Sequence, residues 1–222
     1  MLGGTRRKRA KMTARAAKTQ RRTRIQVAKE EVILEAALDV FSANGFRGAT
    51  VDQIAEAAGM SKPNVLYYFR SKEAMFSALI ESVMDIWLDP LRVFDVDKDP
   101  EAELRSYIRR KLEMARDFPR ESRLFANEVI QGAPNTEAFL KGDLKDLVDE
   151  KAKVIRAWQK AGKLRKVDPY HLIFSIWATT QHYADFDVQV RAVLGEGLAG
   201  EGRFEDAARY LETLFVNGLI VR

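Results

Sequence analysis

The sequence predicts an all-α protein. Apolar residues recur at three- and four-residue spacing through most of the 222-residue chain, no alternating strand pattern of useful length interrupts them, and Gly or Pro closes the periodic stretches. No internal repeat is found.

In order along the chain, the first element covers residues 30–44, where Ile33, Leu34, Ala37, Leu38 and Phe41 share a face and Gly45 is a stop. Residues 50–72 then hold two short helices joined at Gly59. Thr50 followed by Gln53 is a capping box, which satisfies orphan amide donors at a helix start. Ile54 and Ala58 form the apolar face of that helix, and Ala55 lets the next one approach closely. Gly59 can take the left-handed conformation that the tight turn requires. Ser61 is the expected cap of the second short helix, with Pro63 tolerated in its first turn. Val65 and Phe69 fall on one side, so Lys62, Pro63, Asn64, Tyr67 and Tyr68 face outward. Ser71 caps a fourth helix whose stripe of Met75, Leu79, Val83 and Ile86 or Trp87 runs away from the first three towards Pro90.

Beyond Pro100 the helices lengthen. Leu104, Tyr107, Ile108, Leu112 and Ala115 mark one that ends near Phe118-Pro119, and Leu124, Phe125, Glu128 and Val129 mark another that stops at Gly132-Ala133-Pro134. A longer helix carries Leu140, Leu144, Leu147, Val148, Val154, Ile155 and Trp158 and closes at Gly162. Asp168-Pro169 opens the next, which runs to about Phe186 or beyond. Residues 195–202, GEGLAGEG, are expected to be a flexible loop. Phe204, Ala207, Ala208, Leu211, Leu214, Phe215 and Leu219 make the last helix.

Composition narrows the function. The net charge of +5 is asymmetric: residues 1–29 hold eleven Lys or Arg and no acid, leaving 26 basic against 32 acidic groups in the remaining 193 residues. The tail lacks apolar periodicity, so residues 1–25 are expected to be a basic, disordered arm. With no cysteine, disulfides and thiolate sites are excluded, which fits a reducing cytoplasm. No apolar run approaches the roughly 20 residues needed to span a bilayer, and a cytosolic protein is expected. Catalysis is disfavoured: His171 and His182, the only histidines, are too far apart to be adjacent ligands on one helical face, and no Gly-rich phosphate loop or nucleophile with a neighbouring base stands out. Glu128 and Asp185 are the remaining carboxylate pair to consider. Neither cofactor nor metal is expected.

The outward face of residues 62–68 points instead to duplex DNA. Two tyrosines and an Asn beside a Lys suit phosphate and base-edge contacts, and a short helix after a tight turn fits the major groove. The alternative is an ordinary helical hairpin with a solvated face. An adjoining basic arm can follow the phosphate backbone or enter the minor groove, adding salt-sensitive affinity.

The stretch GMSKPNVLYYFRSKEAMFSAL resembles the recognition and linker helices of the TetR family of transcriptional regulators. In the body, DIWLDPL, YIRRKLEMARDFPRESRLFANEVIQGAP, GDLKDLVDEK and DPYHLIFSIWATTQHYADF are similar to a pyrimidine-responsive member of that family, and the likeness covers roughly residues 30–194. The resemblance implies a three-helix helix-turn-helix DNA-binding head over residues 26–72, joined to a helical effector-binding and dimerisation bundle over 73–222. It further implies a homodimer on an inverted-repeat operator, with Lys62, Pro63 and Asn64 at base edges and Thr50, Tyr67, Tyr68 and Lys72 at phosphates. Thr50 and Lys72 stand at helix N-termini, where free amides and the dipole favour an anion. Helices 168–186 and 203–219 are apolar on more than one stripe, as an intersubunit four-helix bundle requires; burial inside a single subunit is the alternative.

For the effector, Phe174, Trp177, Gln181 and Asp185 follow three- and four-residue spacing, and Trp87 can close the opposite wall. A pyrimidine such as uracil or thymine has apolar faces for Trp to stack on and an edge to which Gln181 can both donate and accept. Arg105 or Lys111 can supply a further donor. A buried polar edge of this kind rejects ligands that leave it unpaired. The likeness singles out Trp87, Trp177 and Gln181. Ligand binding is expected to release the operator; the other reading of the body is a sensor for a more lipophilic molecule, the DNA-binding head unchanged.

Overall fold

A long helix, α1 (Arg24–Gly48), opens the fold in the computed structural model, which describes residues 24–198, 200 and 202–221. The expected basic arm lies outside the described residues, apart from Arg24 and Ile25, which are already helical. Residues 24–29 carry no apolar stripe but no helix breaker either, so α1 starts earlier than periodicity indicates through local propensity. Its buried face is Ile33, Ala36, Ala37, Leu38 and Phe41. At Gly45 the backbone leaves helical geometry with φ 66°, which favours glycine; a Cβ there would meet only the Gln131 Nε2, at 3.3 Å.

Helices α2 (Val51–Ala57) and α3 (Lys62–Tyr68) pack on each other across Gly59, whose φ is +63°. The capping box is present: Thr50 Oγ1 accepts from the Gln53 amide at 3.2 Å, and the Thr50 amide donates to Gln53 Oε1 at 2.8 Å. Ser61 does not cap α3 through its hydroxyl, contrary to expectation. Pro63 offers no amide, and the Asn64 amide instead bonds the Ser61 carbonyl at 2.9 Å. Ser71 does cap α4 (Lys72–Arg92), accepting from the Ala74 amide at 3.2 Å.

The body comprises α5 (Pro100–Asp117), α6 (Pro119–Ile130), a short α7 (Glu137–Phe139) that passes through a π-helical turn (Leu140–Leu144) into α8 (Lys145–Lys160), then α9 (Pro169–Asp185), α10 (Asp187–Leu198) and α11 (Arg203–Leu219). The anticipated single helix from Leu140 thus carries a π turn at its start, around Gly142. The expected loop at residues 195–202 is shorter than its glycines suggest, because α10 continues past a non-helical Gly195 (φ 70°) to Leu198. Among the described residues the only β feature is a bridge between Leu164 and Ile220. Also among them, no helix is long and apolar enough to cross a membrane.

Two cores result. Ile33, Phe41, Ile54, Val65, Met75 and Phe76 centre the first, and Leu104, Ile108, Leu112, Ile155, Trp158 and Ile176 centre the second. Met114 and Leu124, from α5 and α6, belong to the first core, so the body inserts into the base of the head. Arg120 of α6 reinforces this contact, donating to Asp39 and Glu35 of α1 at 2.6 Å each. These two bonds hold the Arg120 guanidinium above its ordinary proton affinity.

A Cβ at Gly59 meets nothing within 4 Å, so only backbone strain opposes a side chain there. Gly59→Ala is expected to cost about 1 kcal/mol of stability, read from the midpoint of urea unfolding; an unchanged midpoint would contradict this account of the turn.

Candidate functional site

The first candidate surface is the outer side of α3. Val65 is fully buried against the head core while Lys62, Pro63 and Asn64 are exposed, and Tyr67 is 72% exposed. Val65 is the one fully buried residue of this short helix, and its outer positions face solvent. Tyr68 departs from expectation: it is half-buried and packs on the head core, its ring edge-on to that of Tyr67 with centroids 5.2 Å apart. Lys62 donates to Asp52 of α2 at 2.8 Å in an exposed pair, a weak tether that water or a phosphate can displace. The Asn64 side chain makes no hydrogen bond to a described residue.

Thr50 is exposed at the start of α2, its hydroxyl engaged with Gln53. Lys72 is more committed than its position at a helix start suggests. Its Nζ donates to the carbonyls of Phe46 at 2.7 Å and Ala49 at 2.8 Å and lies 4.4 Å from the centre of the Phe46 ring. It pins the turn between α1 and α2 to the first residue of α4.

The second candidate is a cavity of about 40 Å³ lined by Met84, Trp87 and Leu88 of α4, Lys111 of α5, Phe125 of α6, Leu144 from the π turn, and Trp177 and Gln181 of α9. Four helices and the π turn converge here, and three of the expected ligand residues, Trp87, Trp177 and Gln181, meet. Tyr107, fully desolvated, holds Trp177 in place by accepting from its indole N–H at 2.6 Å. Among the described residues the Trp87 indole N–H is buried without an acceptor, and the half-buried Gln181 side chain makes no hydrogen bond.

Lys111 is the buried charge of this cavity. It is 3% exposed, its Nζ lies 4.7 Å from the centre of the Trp87 ring, and no described acceptor receives its protons. Burial pulls its pKa down to about 8, against an opposing pull from Asp185. Sequence reasoning held Lys111 only as the alternative to Arg105. The clue lay in its register: it interrupts the stripe Leu104, Tyr107, Ile108, Leu112, where a lysine is out of place.

Three expected ligand residues lie elsewhere. Arg105 points away from the cavity and pairs with Glu101 at 2.8 Å and Glu212 at 3.5 Å. Asp185 stands two helical turns beyond Trp177, past the end of the cavity, where it accepts from the Ser122 hydroxyl. Burial raises its pKa, and Ser122, Lys111, Arg123 and His182 counter the shift. Phe174 is 49% exposed and lines a separate, open hollow of about 430 Å³ shared with Leu140, Val148 and Tyr170, with Leu144 and Trp177 forming the partition. The Glu128–Asp185 carboxylate pair does not exist either, because Glu128 is occupied by the Asn135 amide at 2.6 Å and side chain at 3.2 Å. Among the described residues no cluster of His, Asp and Glu could hold a metal ion. A wider hollow, about 520 Å³ among α9, α10 and α11, touches neither α4 nor α6 and so has no direct path to the head.

Residues 33–79 match the family described as bacterial regulatory proteins, tetR family, and residues 80–222 match the YcdC-like protein, C-terminal region. The HTH-type transcriptional regulator RutR of Escherichia coli (strain K12) is 50% identical over 209 residues, covering 94% of this chain and 99% of that protein. An uncharacterized HTH-type transcriptional regulator in the dhlA 5' region of Xanthobacter autotrophicus is 29% identical over 61% of this chain and 71% of its own length. Among solved structures, AibR in complex with isovaleryl coenzyme A and operator DNA aligns with a TM-score of 0.67 at 20% identity, over 84% of this chain and 97% of that one, a likeness of fold.

The buried ammonium has a thermodynamic consequence. A lysine whose pKa falls from 10.5 to about 8 on folding binds fewer protons folded than unfolded between those values, so stability rises as pH climbs through that window. Below it the native state bears a penalty on the order of 3 kcal/mol. Lys111→Met is therefore expected to raise the Tm at pH 7, with the advantage over the parent shrinking towards pH 10. A variant less stable than the parent at pH 7 would show that Lys111 is a structural asset instead.

Proposed function

The chain belongs to the TetR family of bacterial regulatory proteins, and on that premise we propose that it releases an inverted-repeat operator when a pyrimidine, uracil or thymine, enters the cavity beside Trp87. It is a DNA-binding transcriptional regulator of the RutR type rather than an enzyme. The observation that carries the finer reading is the meeting of Trp87, Trp177, Gln181 and Lys111 on one small cavity whose wall is α4. Stacking on indole serves the ring faces, while Gln181 serves a carbonyl and a ring N–H together. Lys111 takes the role for which Arg105 was the first candidate.

In this reading residues 26–72 form the DNA-binding unit and 73–222 sense the effector. Lys62, Pro63 and Asn64 approach base edges, Thr50, Tyr67 and Tyr68 meet phosphates, and Lys72 offers its third proton to the backbone while its other two stay on Phe46 and Ala49. The basic arm adds affinity that falls with salt. A cavity of about 40 Å³ is too tight for a ring at rest, so occupancy shifts α4. Because Lys72 ties α4 to the turn before α2, that shift moves α3, at a coupling of about 1–3 kcal/mol. Two subunits meet through α9 and α11, where Phe174, Tyr210 and Leu214 are each about half exposed or more. Such a homodimer spaces its recognition helices about one DNA turn apart or a multiple of it. A cytoplasmic location follows from the task. The open apolar hollow beside Leu144 and Trp177 favours a second reading, a bulkier lipophilic effector.

Two measurements test the proposal. Asn64→Ala is expected to weaken operator binding by about 1–3 kcal/mol without altering the fold, followed by fluorescence anisotropy; undiminished affinity would remove Asn64 from the interface. Uracil titrated into the protein–operator complex should release DNA from the parent but not from Gln181→Leu. Uracil-driven release that survives this substitution would remove Gln181 from the ligand site, and no release by uracil even from the parent supports the lipophilic effector.

A further inference from the structure

The cavity is rich in donors and poor in acceptors. Lys111 brings an ammonium with no described acceptor, Trp87 a buried N–H with none, and Gln181 an unpaired amide. Against these the lining offers one side-chain acceptor, the Gln181 oxygen. Met84, Leu88, Phe125 and Leu144 offer neither, and the Trp177 N–H is spent on Tyr107. A neutral uracil presents two N–H donors and two carbonyl acceptors, so one of its N–H groups finds no side-chain acceptor in this lining and stands beside a cation.

Loss of the imide proton removes that conflict. The ring nitrogen becomes an acceptor, and negative charge spreads over the two flanking carbonyl oxygens, next to Lys111. We infer that the cavity selects the imide anion of its pyrimidine, the proton leaving to solvent on binding, so that affinity among pyrimidines follows ring acidity rather than ring size. This rests on the pyrimidine reading above and gives that ligand its charge state.

The surrounding charges permit it. Lys111 is the one charged group lining the cavity; α4, α6 and the π turn contribute only uncharged side chains there. The carboxylate that acts on Lys111 is Asp185 of α9, which also accepts from Ser122 and feels Arg123 and His182, and no ion pair within 4 Å joins it to Lys111. The ammonium therefore has no counterion in contact with it, and burial lowers its proton affinity against the more distant pull of Asp185. An anion in the cavity supplies one.

Isothermal titration calorimetry of the full chain at neutral pH, in buffers of different ionisation enthalpy, tests the inference with uracil and 5-fluorouracil. The two are nearly the same shape, and the fluorinated ring is considerably more acidic. The expected result is binding of 5-fluorouracil roughly tenfold tighter, with net proton release to buffer on binding of uracil, and a ratio near one in Lys111→Met. Equal affinities without proton release would overturn the charge state while leaving the pyrimidine reading intact. Persistence of the preference in Lys111→Met would likewise overturn it, and failure of either ring to bind would overturn both readings.

Discussion

Lys72 fixes how the two halves of the molecule relate. Its ammonium bridges the carbonyls of Phe46 and Ala49, at the turn that launches the DNA-facing pair of helices, while its own backbone begins α4. Charge-assisted bonds of this kind contribute about 1.5–3 kcal/mol each, and the Phe46 ring below adds a cation–π contact. A displacement of α4 that kept these bonds would carry the turn before α2 with it. The same helix reaches the cavity with Met84, Trp87 and Leu88, so head and cavity share one rigid element.

A second contact works against free motion. Helix α6 inserts Leu124 into the head core and clamps α1 through Arg120, while its Phe125 lines the cavity. An occupant that presses on both α4 and α6 acts on the head from two sides: through the turn held by Lys72 and through the flank held by Arg120. Packed cores respond to such pressure by shifting as bodies rather than by deforming continuously. The π turn at Leu140–Leu144 is the one part of the cavity wall outside regular α-helix.

The parts that were legible in the sequence are those with local causes. The Thr50–Gln53 box, the Gly59 turn and the apolar stripes of α1, α4 and α11 each depend on residues within a turn or two of one another, and each is present in the fold. What escaped was set by distance. The acceptors of Lys72 lie 26 and 23 residues away, and nothing near Ser71 announces them. The failed Ser61 cap turned on which acceptor of the same residue the Asn64 amide would choose. In the cavity, helical spacing put Phe174, Trp177, Gln181 and Asp185 on one side of α9 but could not say how far along it the cavity extends. It spans Trp177 to Gln181, about 6 Å of helix, and so excludes both ends of the series.

Arg105 and Lys111 show a different failure, one of weighting. Both cations sit on α5, and their residue types alone favour the arginine as a planar, bidentate donor. Position decides against it. Arg105 lies beside acidic residues of its own helix and of α11, where solvent and Glu101 satisfy it at little cost. Lys111 occupies a place in the buried stripe that Leu or Met would fill with a gain in stability. On the proposed reading, the buried Lys111 ammonium and the Trp87 indole N–H find their partners in the effector.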